Sequence, residues 1–126
     1  MGFLQSMLFA TLTRSDFYDN KKRYSITPYV QIHHILPRQF RNHPCLRDFE
    51  IDQGSNLMLM PNRAGKMHLK TTRPVHDGGH DAYNREIGKQ LDSIYREVPA
   101  HEYEKHVSQL ICNLRRRVRV GETKWN

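Results

Sequence analysis

The sequence predicts an α+β domain, on three observations. Residues 24–37 carry Ile26, Val30, Ile32 and Ile35, and Pro28 and Pro37 stand against a continuous helix, so the stretch reads as extended. Leu57-Met58-Leu59-Met60 is a second short apolar run, closed by Pro61. Beyond residue 80, apolar residues recur three and four apart over two long stretches, the period of amphipathic helices.

Taken in order, residues 2–12 set Phe3, Met7 and Ala10 with Leu4 and Leu8 at helical spacing, a short helix for packing on the core. The segment lacks a basic start and is broken by Gln5 and Ser6, so it does not read as a cleaved signal. Residues 13–22 are polar and turn-like, and Arg14, Lys21, Lys22 and Arg23 read as a solvated surface. The strand with His33 and His34 ends at Pro37, followed by a short helix or loop around Phe40 that closes at Pro44. Residues 48–54 read as a strand fragment meeting a turn. Ser55 and Asn56 open the second strand, which is apolar on both faces and therefore buried on both. Residues 62–72 read as a connector carrying Arg63, Lys66, His68 and Lys70.

Gly78 and Gly79 would be costly in mid-helix, so His76 is expected in the first turn of the next helix or just before it. Residues without Cβ there would let a phosphodiester approach free backbone N–H groups. Over residues 81–98, Tyr83, Ile87, Leu91, Ile94 and Val98 mark an amphipathic helix ended by Pro99. A second helix, residues 100–118, repeats the pattern with Tyr103, Val107, Leu110, Ile111 and Leu114. Its end carries Arg115, Arg116, Arg117 and Arg119, cations that suit the helix dipole as well as nucleic acid.

At 126 residues the chain is expected to form one domain, with an N-terminal helix and loop (1–30), a core (31–97) and a C-terminal basic helix (100–119). Twenty Lys and Arg against 13 acidic residues give a formal charge of +7, which favours a polyanionic partner, nucleic acid first. Cys45 and Cys112 match no zinc spacing and imply no disulfide framework, so both read as reduced thiols in a cytosolic setting. No apolar run approaches the ~20 residues of a bilayer span, and no membrane partner is expected.

Four of the eight histidines, His33, His34, His76 and His80, mark three points of the run from Gln31 to Asn84. On a strand, His33 and His34 point to opposite faces, so one can bind a metal while the other faces elsewhere. His76 and His80, four apart at a helix start, can clasp the same ion. His33, His76 and His80 would then give three nitrogen ligands with a coordination position left open, as in a working site. Neutral imidazoles favour zinc, nickel or another transition ion such as manganese, and magnesium would depend on concentration. His43, His68, His101 and His106 read as ordinary packed or exposed residues, and Tyr83 as a core residue behind the metal helix.

The order Ile32-His33-His34-Ile-Leu-Pro37, then Asn56 before an apolar strand, then His76-x-x-x-His80 followed by Tyr83, resembles the AHH branch of the HNH endonuclease superfamily. The resemblance covers residues 31–97, with Ile32 where the branch usually has Ala. It implies a ββα-metal (His-Me finger) core with additional N- and C-terminal helices, and a metal-dependent endonuclease. His34, an imidazole of ordinarily near-neutral pKa, would deprotonate the attacking water. One divalent ion on His33, His76 and His80 would bind the scissile phosphate, and Asn56, matching the family's central Asn, would orient His34. Arg38, Arg63, Lys66, Lys70 and Arg73 are the candidate phosphate contacts.

The expected substrate is DNA cut with little sequence preference, because no base-reading module is visible; RNA is the alternative. AHH-like domains often form the toxic tip of secreted bacterial effectors, so the resemblance implies an immunity protein as partner. It also implies action in the cytoplasm of a target cell, reached without a cleavable signal. The competing reading is a non-catalytic nucleic-acid-binding module held by a structural zinc.

Overall fold

The computed structural model describes residues 27–76 and 80–123. The helix expected over residues 2–12 and the basic residues Arg14, Lys21, Lys22 and Arg23 lie outside the described residues, as do Asp77, Gly78 and Gly79. The described elements are β1 (Val30–His34), β2 (Leu57–Pro61), α1 (Arg63–Leu69), α2 (Asp81–Glu97) and α3 (Tyr103–Arg119). Two antiparallel strands with three helices make this an α+β fold.

The strands pair Val30 with Pro61, His33 with Met58 and His34 with Leu57. Side chains alternate along β1, so Gln31 and His33 share one face with Met60 and Met58, while Ile32 and His34 occupy the other. Strand β2 is buried nearly throughout, as its uninterrupted apolar sequence requires.

Bonded and non-bonded pairs alternate in an antiparallel ladder, and Ile35 N donates to Asn56 O at 2.8 Å. The carbonyls of Leu59 and Pro61 therefore point away from β1, along the outer edge of β2. Arg73 donates its guanidinium to Leu59 O, and His76 donates its backbone N–H to Pro61 O at 2.7 Å. The segment 73–76 thus follows that edge, and Lys66 Nζ holds its Arg73 carbonyl at 2.7 Å.

Residues 62–72 depart from the expected connector, because most of them form α1. Asn62 caps this helix by accepting from Gly65 N at 2.7 Å, and Lys70 ends it in the left-handed region at φ 49°. The helix escapes a periodicity test because it is one short element whose Met67 is 80% exposed. Gly65 is required by proximity: a Cβ there would lie 1.9 Å from Tyr29 O, in the 3₁₀ turn Thr27–Tyr29. Residues 48–54 are also not a strand. They are turns that lead into a 3₁₀ turn at Gly54–Asn56, so β2 begins at Leu57 rather than at Ser55.

The two long helices follow their predicted periods. Helix α2 buries Ala82, Tyr83, Ile87 and Leu91, and α3 buries Val107, Leu110, Ile111, Leu114 and Val118. These side chains meet Ile35, Leu36, Leu46, Ile51, Met58 and Met60 in one core, each large one contributing about 1.5–3 kcal/mol on burial. That core fixes α2 against the His33 face of the hairpin. Of the basic end of α3, Arg115 is buried and donates to Ser55 O, which ties the helix to the start of β2.

Candidate functional site

Strand β1 carries His33 inward, where it is 2% exposed. The edge segment brings His76 alongside, and His80 arrives as the N-cap residue of α2. His76 therefore precedes the helix, the second of the two positions expected from the glycines, and the two histidines meet across the helix start rather than along one helix face. The ring centroids lie 5.3 Å (His33–His76), 5.6 Å (His33–His80) and 5.5 Å (His76–His80) apart. One nitrogen from each ring falls within 4.8 Å of the other two, a group that could hold a metal ion.

The outer nitrogens are held in a consistent sense. His76 Nδ1 lies 2.8 Å from Gln31 Oε1, and His80 Nδ1 lies 3.0 Å from Asn84 Oδ1. With each Nδ1–H donating to an amide oxygen, the lone pair of each ring is left on Nε2, a tautomer that can ligate a metal. Gln31 shares the strand face of His33, and Asn84 stands one helical turn beyond His80. Both were visible as spacing, but an amide on a strand or helix surface carries no signal until its partner is placed.

Burial, followed by the charges of His76, His80 and His34, holds the His33 pKa well below its ordinary value. A ring kept neutral is able to ligate a metal, which an imidazolium is not. Tyr83 stands behind the cluster, 5.4 Å from His33 and 5.8 Å from His80, and donates to Ile35 O at 2.6 Å. It is a buttress, and burial pushes its phenol pKa up.

On the other face, His34 Nε2 lies 2.7 Å from Asp52 Oδ1. Arg38 donates to the same oxygen from Nε at 3.2 Å and from its terminal nitrogen at 3.1 Å. The hydrogen bond from His34, more than the Arg38 interactions, holds the Asp52 carboxyl below its ordinary pKa. Asn56 is fully buried between the strands. It accepts from Leu36 N at 2.7 Å and donates to Leu36 O at 3.0 Å and Ile51 O at 2.8 Å. It thus joins the segment after His34 to the segment before Asp52.

The remaining basic candidates are spread out. Arg38, Arg63 and Lys70 are exposed, whereas Lys66 and Arg73 are half-buried and engage backbone carbonyls along β2. Burial and the charges of Arg119 and Arg115 lower the Arg73 pKa. Asp52 is the neighbour of His34 that the sequence did not single out. Eighteen residues from His34, it lies in a loop whose path no periodicity describes.

The α+β fold carries a three-imidazole group that could hold a metal ion, and comparison with protein families identifies the kind of protein. The model of AHH, a nuclease family of the HNH/ENDO VII superfamily with conserved AHH, matches residues 16–118. The chain belongs to this family, with Ile32 ahead of the histidine pair. Comparisons with curated proteins and with solved structures gave no match.

Proposed function

We propose that the protein is a metal-dependent endonuclease with a ββα-metal core, hydrolysing phosphodiester bonds of DNA with little sequence preference. The observation that carries this reading is the juxtaposition of His33, His76 and His80 on one face of the hairpin with the Asp52-bound His34 on the next residue of the same strand. The donor set fits a divalent ion: three imidazoles, two of them held by amide oxygens through Nδ1. Such ligands favour zinc, nickel or manganese for affinity, with magnesium acting at higher concentration. When bound, a divalent ion would supply Lewis acidity to the scissile phosphate and the departing 3′ oxygen.

The chain's own residues supply the rest. His34 accepts a proton from the attacking water as the new P–O bond forms and the P–O3′ bond breaks, and solvent protonates the leaving alkoxide. Arg38, exposed beside His34, offers its guanidinium to the phosphate charge. Arg63, which opens α1, and Lys70, which follows its end, are the candidates for backbone phosphates further along the strand, a sequence-independent contact that fits low specificity. Lys66 and Arg73 extend the same basic stretch while they hold the edge of β2.

Among the described residues, the competing structural-zinc reading finds no fourth protein ligand. The group contains three histidines, Cys45 is buried beside His43, and Cys112 is exposed on α3. The toxin role and an immunity partner follow from the family resemblance and form the outer part of the proposal. The test is digestion of supercoiled plasmid and of RNA with Mg2+, Mn2+, Ni2+ or Zn2+, each with a chelator control. Plasmid nicking that needs the ion is the expected result. Cleavage confined to RNA would reassign the substrate, and binding without cleavage in every ion would favour the structural module.

A further inference from the structure

We propose that Asp52 is a positioning residue of this centre, its one oxygen Oδ1 holding the His34 imidazole and the Arg38 guanidinium together so that both address the same phosphate. The inference rests on the nuclease reading of His34 given above. It goes beyond that reading by assigning a role to a residue in the loop between the strands.

The geometry is specific. Three donors, His34 Nε2 at 2.7 Å and two Arg38 nitrogens at 3.1 and 3.2 Å, converge on a single carboxylate oxygen. An ionised carboxylate only accepts hydrogen bonds, so it selects the His34 tautomer with hydrogen on Nε2 and the lone pair on Nδ1. It also keeps the ring from turning about its Cβ–Cγ bond. The depressed pKa of Asp52 agrees with a carboxylate that stays ionised across the working range.

Asp52 is itself held from behind. Asn56 Nδ2 donates to Ile51 O, the carbonyl of the preceding residue, and Asn56 binds both backbone groups of Leu36, two residues beyond His34. Asn56 is wholly buried while the Asp52 side chain is 45% exposed. The buried amide therefore fixes the backbone on both sides, and the exposed carboxylate transmits that order to two side chains at the surface. On this account Asn56 orients His34 largely through Asp52.

The experiment compares wild type, Asp52→Ala and Asp52→Asn in the full chain, with nicking kinetics, metal titration and 15N spectra of the His34 ring. Removing a partner that orients a reacting group typically costs 10–100-fold, so Asp52→Ala should lose about 100-fold in kcat with KM and metal affinity within about threefold. Asn retains an oxygen acceptor at the Oδ1 position, so Asp52→Asn should recover at least about tenfold of that loss. The wild-type spectrum should show hydrogen on Nε2 of His34, and Asp52→Ala should show a mixture of tautomers.

Equal activity of Asp52→Ala and wild type would overturn the inference. So would a parallel loss of metal affinity, which would mark Asp52 as a support of the fold. A wild-type His34 protonated on Nδ1 would overturn it even in an active nuclease. A protein that binds the ion yet cuts neither DNA nor RNA would instead sink the nuclease reading, and the inference with it.

Discussion

Two histidine–aspartate pairs in this molecule are nearly identical in geometry and stand in different surroundings. His34 Nε2 lies 2.7 Å from Asp52, and His43 Nε2 lies 2.8 Å from Asp92. The imidazoles are 14% and 12% exposed, and both carboxylates face solvent. Their neighbours separate them. His43 Nδ1 accepts from Cys45 N at 3.3 Å, with Cys45 Sγ 3.2 Å away, and so caps the 3₁₀ turn Pro44–Leu46. Its hydrogen-bonding capacity is spent on the backbone, next to a thiol that burial pushes up to about 11. His34 stands beside a buried metal-binding candidate and an arginine. A carboxylate-bound imidazole is therefore not in itself a catalytic group; what lies within reach of the ring decides.

The sharpest way to break this contrast is to truncate each imidazole. His34→Ala should lower plasmid nicking at least about 1,000-fold, at the strong end of losses for a general base, while metal binding persists. His43→Ala should leave turnover per folded molecule unchanged and cost about 1 kcal/mol in urea unfolding, the value of a lost cap. Comparable activities for the two variants would remove the distinction drawn between the pairs.

Acid should separate the regions next. Burial and neighbouring imidazoles hold the folded pKa of His33 below its unfolded value, so as pH falls the unfolded chain takes up that proton first. The metal-free protein should hold its stability above about pH 6.5 and lose it below. Asp52 has the opposite charge type: its depressed pKa contributes stability that is lost only near the carboxylate range. Thermal unfolding at pH 7.5 and 5.5 checks this, and a melting temperature that does not fall at the lower pH would contradict the account of His33.

The smallest effect is expected at Asp92. Asp92→Asn removes one exposed ionic partner and should cost at most about 1 kcal/mol, with nicking unchanged. Set against the loss expected for Asp52→Ala, it measures how much a carboxylate gains from standing beside the site.

Several features of the site were legible because local periods carry them. Alternation along a strand put His33 and His34 on opposite faces, and the spacing of Tyr83, Ile87 and Leu91 placed the helix that His80 opens. Pro61 and Pro99 marked real ends, since a missing N–H stops either kind of hydrogen-bond pattern. Helix α1 was harder to read. Its capping Asn62 is a recognisable signal, but an exposed Met67 offers no apolar stripe.

Sequence by itself determined the candidate donor types, the opposite faces of His33 and His34 and the family pattern, because these depend on residue identity and on neighbours within about one pleat. His76, by contrast, reached the group through its contact with Pro61. Tertiary structure alone decided that Gln31 meets His76 and that Arg73 pins the edge of β2. It also decided that Asp52 serves His34 while Asp92 serves a turn. Those contacts span 14 to 49 residues, and which ones form depends on how the core closes around the hairpin, a choice no local propensity encodes.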